Sequence, residues 1–180
     1  MKICWLSLLM LIPLVITLAN PVTAQFQYGL LFEESRSNIA RSADITKDGM
    51  YLVVGTTDGE VYFYDIVNWR VLWKFSDLGS YVQVATSDDG SHIVAGGSSG
   101  VVYLFDRNGN VLWSRNIGSE VYAIDITPDA SFIVVGAENG HVYMFDRQGN
   151  TLWETKVEFG VWSLKISTDG TRVVVGNTWS

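Results

Sequence analysis

Cysteine is nearly missing from this sequence: the 180 residues hold one, Cys4, and it sits in an N-terminal leader. The chain beyond the leader therefore has no disulfide, no thiol nucleophile and no cysteine metal ligand. Proline is scarce at 3 residues and histidine at 2. His92 and His141 fall at different strand positions of different repeats, with no repeated partner, so the pattern excludes a Cys/His zinc site. No apolar run after residue 24 is long enough to span a bilayer as a helix. Basic residues are outnumbered, 12 Lys and Arg against 19 Asp and Glu, for a net charge of −7. Loss of the leader removes Lys2 and makes the chain one unit more acidic, which disfavours nucleic acid and anionic membranes as partners.

What is abundant points the other way. With 48% hydrophobic residues, 13% aromatics and 17 glycines, the composition suits many short strands joined by tight turns, an all-β class. Residues 1–24 are set aside first, because Lys2 precedes an apolar run from Ile3 to Leu18 and the small-residue exit Val22-Thr23-Ala24. This is the pattern of a signal peptide cleaved before Gln25, which places the mature chain outside the cytoplasm. An uncleaved anchor is the alternative, and Pro13 within the run does not exclude it.

The mature sequence is a tandem repeat. Tyr62, Tyr103 and Tyr143 recur at intervals of 41 and 40, and Trp73, Trp113 and Trp153 at 40 and 40. Asp48, Asp89, Asp129 and Asp169 keep the same phase, followed by Gly49, Gly90, Ala130 and Gly170. Within the third copy, "VYAIDIT", "SFIVVG", "HVYMFD" and "TLWETKV" read as four strands punctuated by Pro128-Asp129-Ala130, Glu138-Asn139-Gly140 and Gln148-Gly149-Asn150. Four antiparallel strands per repeat of about 40 residues make a propeller blade. The nearly unbroken apolar runs Ile133-Val134-Val135 and Val173-Val174-Val175 imply strands covered on both faces, as radially stacked blades provide.

The expected architecture is a β-propeller of four-stranded antiparallel blades over residues 25–180. Residues 29–35 supply the outer strand of a preceding blade, because Phe32 precedes Asp48 by the same 16 residues that separate Trp113 from Asp129. Complete blades follow at 39–75, 80–116 and 120–157, and 160–180 forms the first half of the next. About 3.5 blades are thus expected, an arc of a larger ring whose open edges favour self-association.

With strands and turns placed, the segment "YDIVNWRVLW" at Tyr64 to Trp73 resembles the tryptophan-docking repeat of pyrroloquinoline-quinone-type propellers. In that repeat an Asp is followed eight residues later by Trp, as Asp65 is by Trp73. The copies Asp106 to Trp113 and Asp146 to Trp153 are one residue shorter, and Asn108-Gly109 and Gln148-Gly149 stand where the family has Thr-Gly. The similarity to WD-repeat propellers is weaker, since the Gly-His and Trp-Asp dipeptides are absent. The resemblance implies a quinoprotein-like propeller in which Trp73, Trp113 and Trp153 dock structurally. It also implies that a quinone-dependent dehydrogenase would need a vicinal cysteine pair, calcium ligands and a catalytic carboxylate. No residue here carries over to those roles, so no catalytic, cofactor or metal site is assigned and no cofactor is expected.

"DRNGN" at Asp106 to Asn110 has the wrong glycine position and no distal Glu for a calcium loop, and reads as a hairpin turn whose Asp accepts backbone amides. One series stands out. Seven residues before each repeated Asp lie Arg41, Val82, Tyr122 and Trp162, at the start of the innermost strand and near the mouth of a propeller channel. Arg41, Tyr122 and Trp162 are the candidate binding face, with inter-blade packing as the competing reading. Asp44, Asp125 and Lys165 share a second register, where they either line the channel or bridge blades.

The function expected is non-catalytic: a binding scaffold for a protein, glycan or small ligand on one propeller face. A piece of a quinoprotein-like oxidoreductase is the alternative. For the leader, intact-mass analysis of exported protein should show a mature chain beginning at Gln25; a mass that retains Met1 to Ala24 would mean an anchored protein.

Overall fold

Turn chemistry divides each repeat into strands, and tryptophan joins the resulting sheets. The computed structural model describes residues 39–177, which lie within the unit Arg36–Ser180. The leader, Gln25 and the strand expected at 29–35 fall outside the described residues.

The first sheet runs β1 (Ala40–Ile45), β2 (Tyr51–Thr56), β3 (Glu60–Asp65) and β4 (Arg70–Ser76), antiparallel and in sequence order. The second repeats this with β5 (Gln83–Thr86), β6 (His92–Gly96), β7 (Val101–Asp106) and β8 (Val111–Asn116). The third holds β9 (Val121–Ile126), β10 (Phe132–Ala137), β11 (His141–Asp146) and β12 (Thr151–Lys156). β13 (Val161–Ile166) and β14 (Val173–Asn177) form a two-stranded sheet. The result is a partial all-β propeller, in which β1, β5, β9 and β13 are innermost and each packs against the next.

The middle strands carry the core. Ile93, Val94, Ile133, Val134 and Val135 are fully buried, as continuous apolar runs require when sheets cover both of their faces. Outer strands are different: along β8 only Trp113 is buried, and along β12 only Trp153 is even half-buried. The outer edge is therefore held by its tryptophan.

That tryptophan reaches across to the next sheet. Trp73 Nε1–H donates to the Arg107 carbonyl at 2.9 Å, and Trp113 Nε1–H donates to the Arg147 carbonyl at 2.9 Å. Both carbonyls belong to the turn between the third and fourth strands of the following sheet. Each indole lies against that turn's glycine: a Cβ on Gly109 would stand 2.8 Å from Trp73, and one on Gly149 the same distance from Trp113. Both glycines also have positive φ, +85° and +79°, so glycine serves the turn and the docking at once. The indoles continue into aromatic contacts, Trp73 stacked on Phe63 and tilted against Phe105, and Trp113 tilted against Phe145, at centroid separations of 5.3–5.7 Å.

The turn Asp residues shape these docking surfaces. Asp106 Oδ1 accepts from the Asn108 and Asn110 amides at 2.9 Å, and its Oδ2 accepts from the Asn110 side chain. Asp146 does the same with Asn150. Asp65 holds the one-residue-longer first turn through Asn68.

Since Trp113 is the single buried side chain of its strand, Trp113→Ala should destabilise the protein by about 3–5 kcal/mol. Trp113→Phe keeps a smaller aromatic ring but not the N–H donor and should lose less, and Gly149→Ala should be damaging although it adds only a methyl group. Denaturant melts measure all three. A loss under about 1 kcal/mol for Trp113→Ala would remove the indole from this docking role.

Candidate functional site

Innermost strands all begin on one face of the stacked sheets, here called the link face, because the links between sheets cross it. The bulges there decide which side chains point outward. β1 pairs with β2 through Ala40↔Thr56 and Ser42↔Gly55, which leaves Arg41 as an extra residue. β9 skips Tyr122 between Val121↔Ala137 and Ala123↔Gly136, and β13 skips Trp162 between Val161↔Asn177 and Ser163↔Gly176. A bulge residue is not bound to the ladder's inward and outward alternation, so its side chain can be turned away from the core.

The second sheet has no such bulge. Val82 is fully buried, and its amide donates to the Thr56 carbonyl as that of Val121 donates to Gly97. Val82 packs on Gly55 just as Val121 packs on Gly96 and Val161 on Gly136, where a Cβ on each glycine would come within 3.0 Å of the valine. Val82 is thus the counterpart of Val121, not of Tyr122 as spacing from the Asp predicts. The second innermost strand is one residue shorter and the link before it one residue longer. Tyr81, the last residue of that link, is held at φ +55° and is exposed. Non-glycine residues adopt this left-handed region at a cost of about 1–2 kcal/mol, so the displayed ring is a strained, imposed feature. Counting from the Asp alone hides Tyr81, because one residue leaves the strand as another enters the link.

Of the sequence-derived face residues, Tyr122 and Trp162 are brought together. Their rings, on neighbouring sheets, lie 5.0 Å apart at 53°, and Trp162 is 55% exposed. Neighbouring Leu164 is buried and Ile124 half-buried, so core packing is completed beneath the pair without Trp162. The Tyr122 phenol is pushed up by burial and then by the Glu138 and Glu120 carboxylates. Arg41 is exposed but separate: the whole innermost strand of the second sheet lies between it and Tyr122.

The second register, Asp44, Asp125 and Lys165, bridges sheets. Asp44 Oδ2 accepts the Thr86 amide at 2.9 Å, and Asp125 Oδ2 accepts the Ile166 amide at 2.8 Å. Lys165 Nζ meets Asp125 Oδ1 at 2.9 Å, so the buried Asp125 is fully engaged. Ala85 holds this register in the second sheet and offers no carboxylate to the third.

On the opposite face the carboxylates are taken up by turns. Asp89, Asp129 and Asp169 lie at about 2, well below the usual carboxylate range. For Asp129 and Asp169 the leading cause is a neighbouring hydroxyl, that of Ser131 or Ser167, followed by a backbone amide. Burial works to raise Asp89, but hydrogen bonds from Ser91 and Ser87 outweigh it. Arg107 and Arg147 fold back onto the Asp89 and Asp129 carbonyls. A groove of about 290 Å³ opens beside Trp73, lined by Tyr51, Leu72, Arg70 and Arg107. His92 is bonded to Ser91 and His141 to Glu154. Among the described residues no three His, Asp or Glu side chains gather as metal ligands, and no helix is long and apolar enough to cross a membrane.

The family described as outer membrane protein assembly factor BamB, with its quinone-type repeat, matches residues 31–126 and 57–180. The chain belongs to that family. Within this BamB-like repeat family the two matches overlap over 57–126, as a repeat does when it fits in successive registers. The family relationship and the sheets agree on a quinoprotein-like propeller repeat.

The depressed Asp residues generate a pH dependence. A carboxyl near 2 when folded and about 3.9 when unfolded contributes stability that is complete above pH 4 and is lost as pH falls through 2. Thermal melts should therefore show stability falling between about pH 4 and pH 2, with a smaller fall for Asp129→Asn. Parallel pH profiles for the two proteins would remove Asp129 as a contributor.

Proposed function

We propose that this chain is an exported, non-catalytic propeller scaffold that binds a partner protein on its link face. The observation that carries the reading is the Tyr122–Trp162 pair, two rings that bulges lift out of the core and leave in contact at 5.0 Å. Rigid aromatic side chains with little rotameric freedom are the residues that dominate protein interfaces, because ordering them on binding costs little. Tyr81 extends the exposed aromatic surface to the preceding link. The family's description as an outer membrane protein assembly factor favours a protein over a glycan or small ligand, and an extracytoplasmic site of action, as the leader pattern also does.

Cross-linking in intact exporting cells tests the reading. The wild-type chain should cross-link to an envelope protein, and Tyr122→Ala with Trp162→Ala should lose that product at least about tenfold, equivalent to 1.4 kcal/mol, while the far-ultraviolet circular dichroism is unchanged. Cross-linking equal to wild type would move the partner off this face. Dye reduction after addition of pyrroloquinoline quinone and calcium should stay at background; turnover would make the chain an oxidoreductase.

A further inference from the structure

The two faces differ in what their loops leave unpaired. On the link face, the turns at 57–59, 97–100 and 138–140 and the links at 77–81, 117–120 and 157–160 contain Asp58, Asp77, Glu120, Glu138 and Glu158 and no Lys or Arg. The basic residues at this end of the strands are Arg41, in the bulge of β1, and Lys156, which ends β12. Among the described residues no basic side chain pairs with Glu120, Glu138 or Glu158. The opposite face is unlike this: its carboxylates are bound in turns, and Lys47, Arg70, Arg107 and Arg147 stand among them.

The unpaired Glu120 and Glu138 carboxylates lie beside the half-buried Tyr122 ring, which is itself in contact with the exposed Trp162. The Glu138 amide donates to the Glu120 carbonyl at 2.9 Å, which holds the two acidic residues together next to Tyr122. The next link, carrying Glu158, runs against the same turn, since a Cβ on Gly160 would meet the Glu138 carbonyl at 2.6 Å. The face of an aromatic ring attracts a cation, and a carboxylate beside it attracts the same cation. No group within these loops supplies that charge. Aromatic side chains recur along this face on three successive sheets, with Tyr81 and Trp162 exposed and Tyr122 half-buried between them, so the surface is a row rather than a single pocket. A row of such places fits a chain bearing repeated cations better than a lone small amine.

We propose that the link face takes a basic polypeptide segment, whose Lys or Arg side chains lie against the Tyr122 and Trp162 rings and pair with Glu120 and Glu138. This rests on the link face being the binding surface. It adds the charge and chain character of what binds there.

The test uses the full mature chain and two fluorescent peptides of equal length, one alternating Lys and Ser and the other Glu and Ser, with anisotropy as the readout. The lysine peptide should bind, more weakly as salt rises, and the glutamate peptide should not. Glu120→Gln with Glu138→Gln should weaken binding about tenfold, and so should Trp162→Ala, whereas Trp162→Phe, which keeps a π face, should retain most of it. Asp88→Asn with Glu154→Gln removes the same charge elsewhere and should change little. An equal loss in that control would mean attraction to net charge alone and would overturn the proposal, as would binding of the glutamate peptide or indifference to the lysine peptide. Indifference to the lysine peptide, in a protein whose envelope cross-link still depends on Tyr122 and Trp162, would overturn the cationic partner and leave the binding face intact. Loss of both would overturn the two together.

Discussion

An indole N–H pointing at a turn carbonyl of the next sheet, across a glycine with no side chain, is the constraint on which the described fold depends. It fixes three things. The turn must present a carbonyl, which the Asp106 and Asp146 carboxylates arrange by gathering the amides around them. The turn must also have no Cβ at Gly109 or Gly149, because the ring occupies that space. Finally, the outer strand must place its one buried side chain at the docking height, and β8 does so with Trp113. Sheets joined in this way can expose the remainder of their outer strands to water without coming apart.

Docking also divides labour between the two faces. The face that carries the docking turns spends its Asp and Arg side chains on its own backbone, with Arg107 lying over the Tyr51 ring and bound to the Asp89 carbonyl. The link face has no comparable duty. Its loops are fastened chiefly through backbone, as Ser99 and Glu138 are to the carbonyls of Leu78 and Glu120, and Glu120, Glu138, Tyr81 and Trp162 remain available. A buried carboxylate such as Asp125 belongs to neither face, since it fastens one innermost strand to the next.

Much of this is legible in the sequence because repeats show themselves three times over. The strands, the tight turns, the turn Asp residues and the placement of Trp73 and Trp113 follow from residues that recur at nearly constant spacing, and each recurrence has a local chemical cause. What depends on two strands meeting is harder to read. Asp44 and Asp125 leave a channel lining and a bridge equally open until their neighbours' amides are placed. Tyr81 is invisible to spacing, because Trp73 precedes Asp89 by the same 16 residues that separate Trp113 from Asp129, while one residue passes from strand to link. Arg41 shares its register with Tyr122 but is set apart by an entire strand, and register along the chain carries no information about distance across it.

The bulges have a consequence for how such a surface changes over generations. A residue outside the ladder can be exchanged, or dropped as in the second sheet, while Val82, Val121 and Val161 stay seated on their glycines. Variation in what the protein recognises is thereby uncoupled from variation in whether it folds. One scaffold can explore new surfaces a single residue at a time, with the core as a bystander.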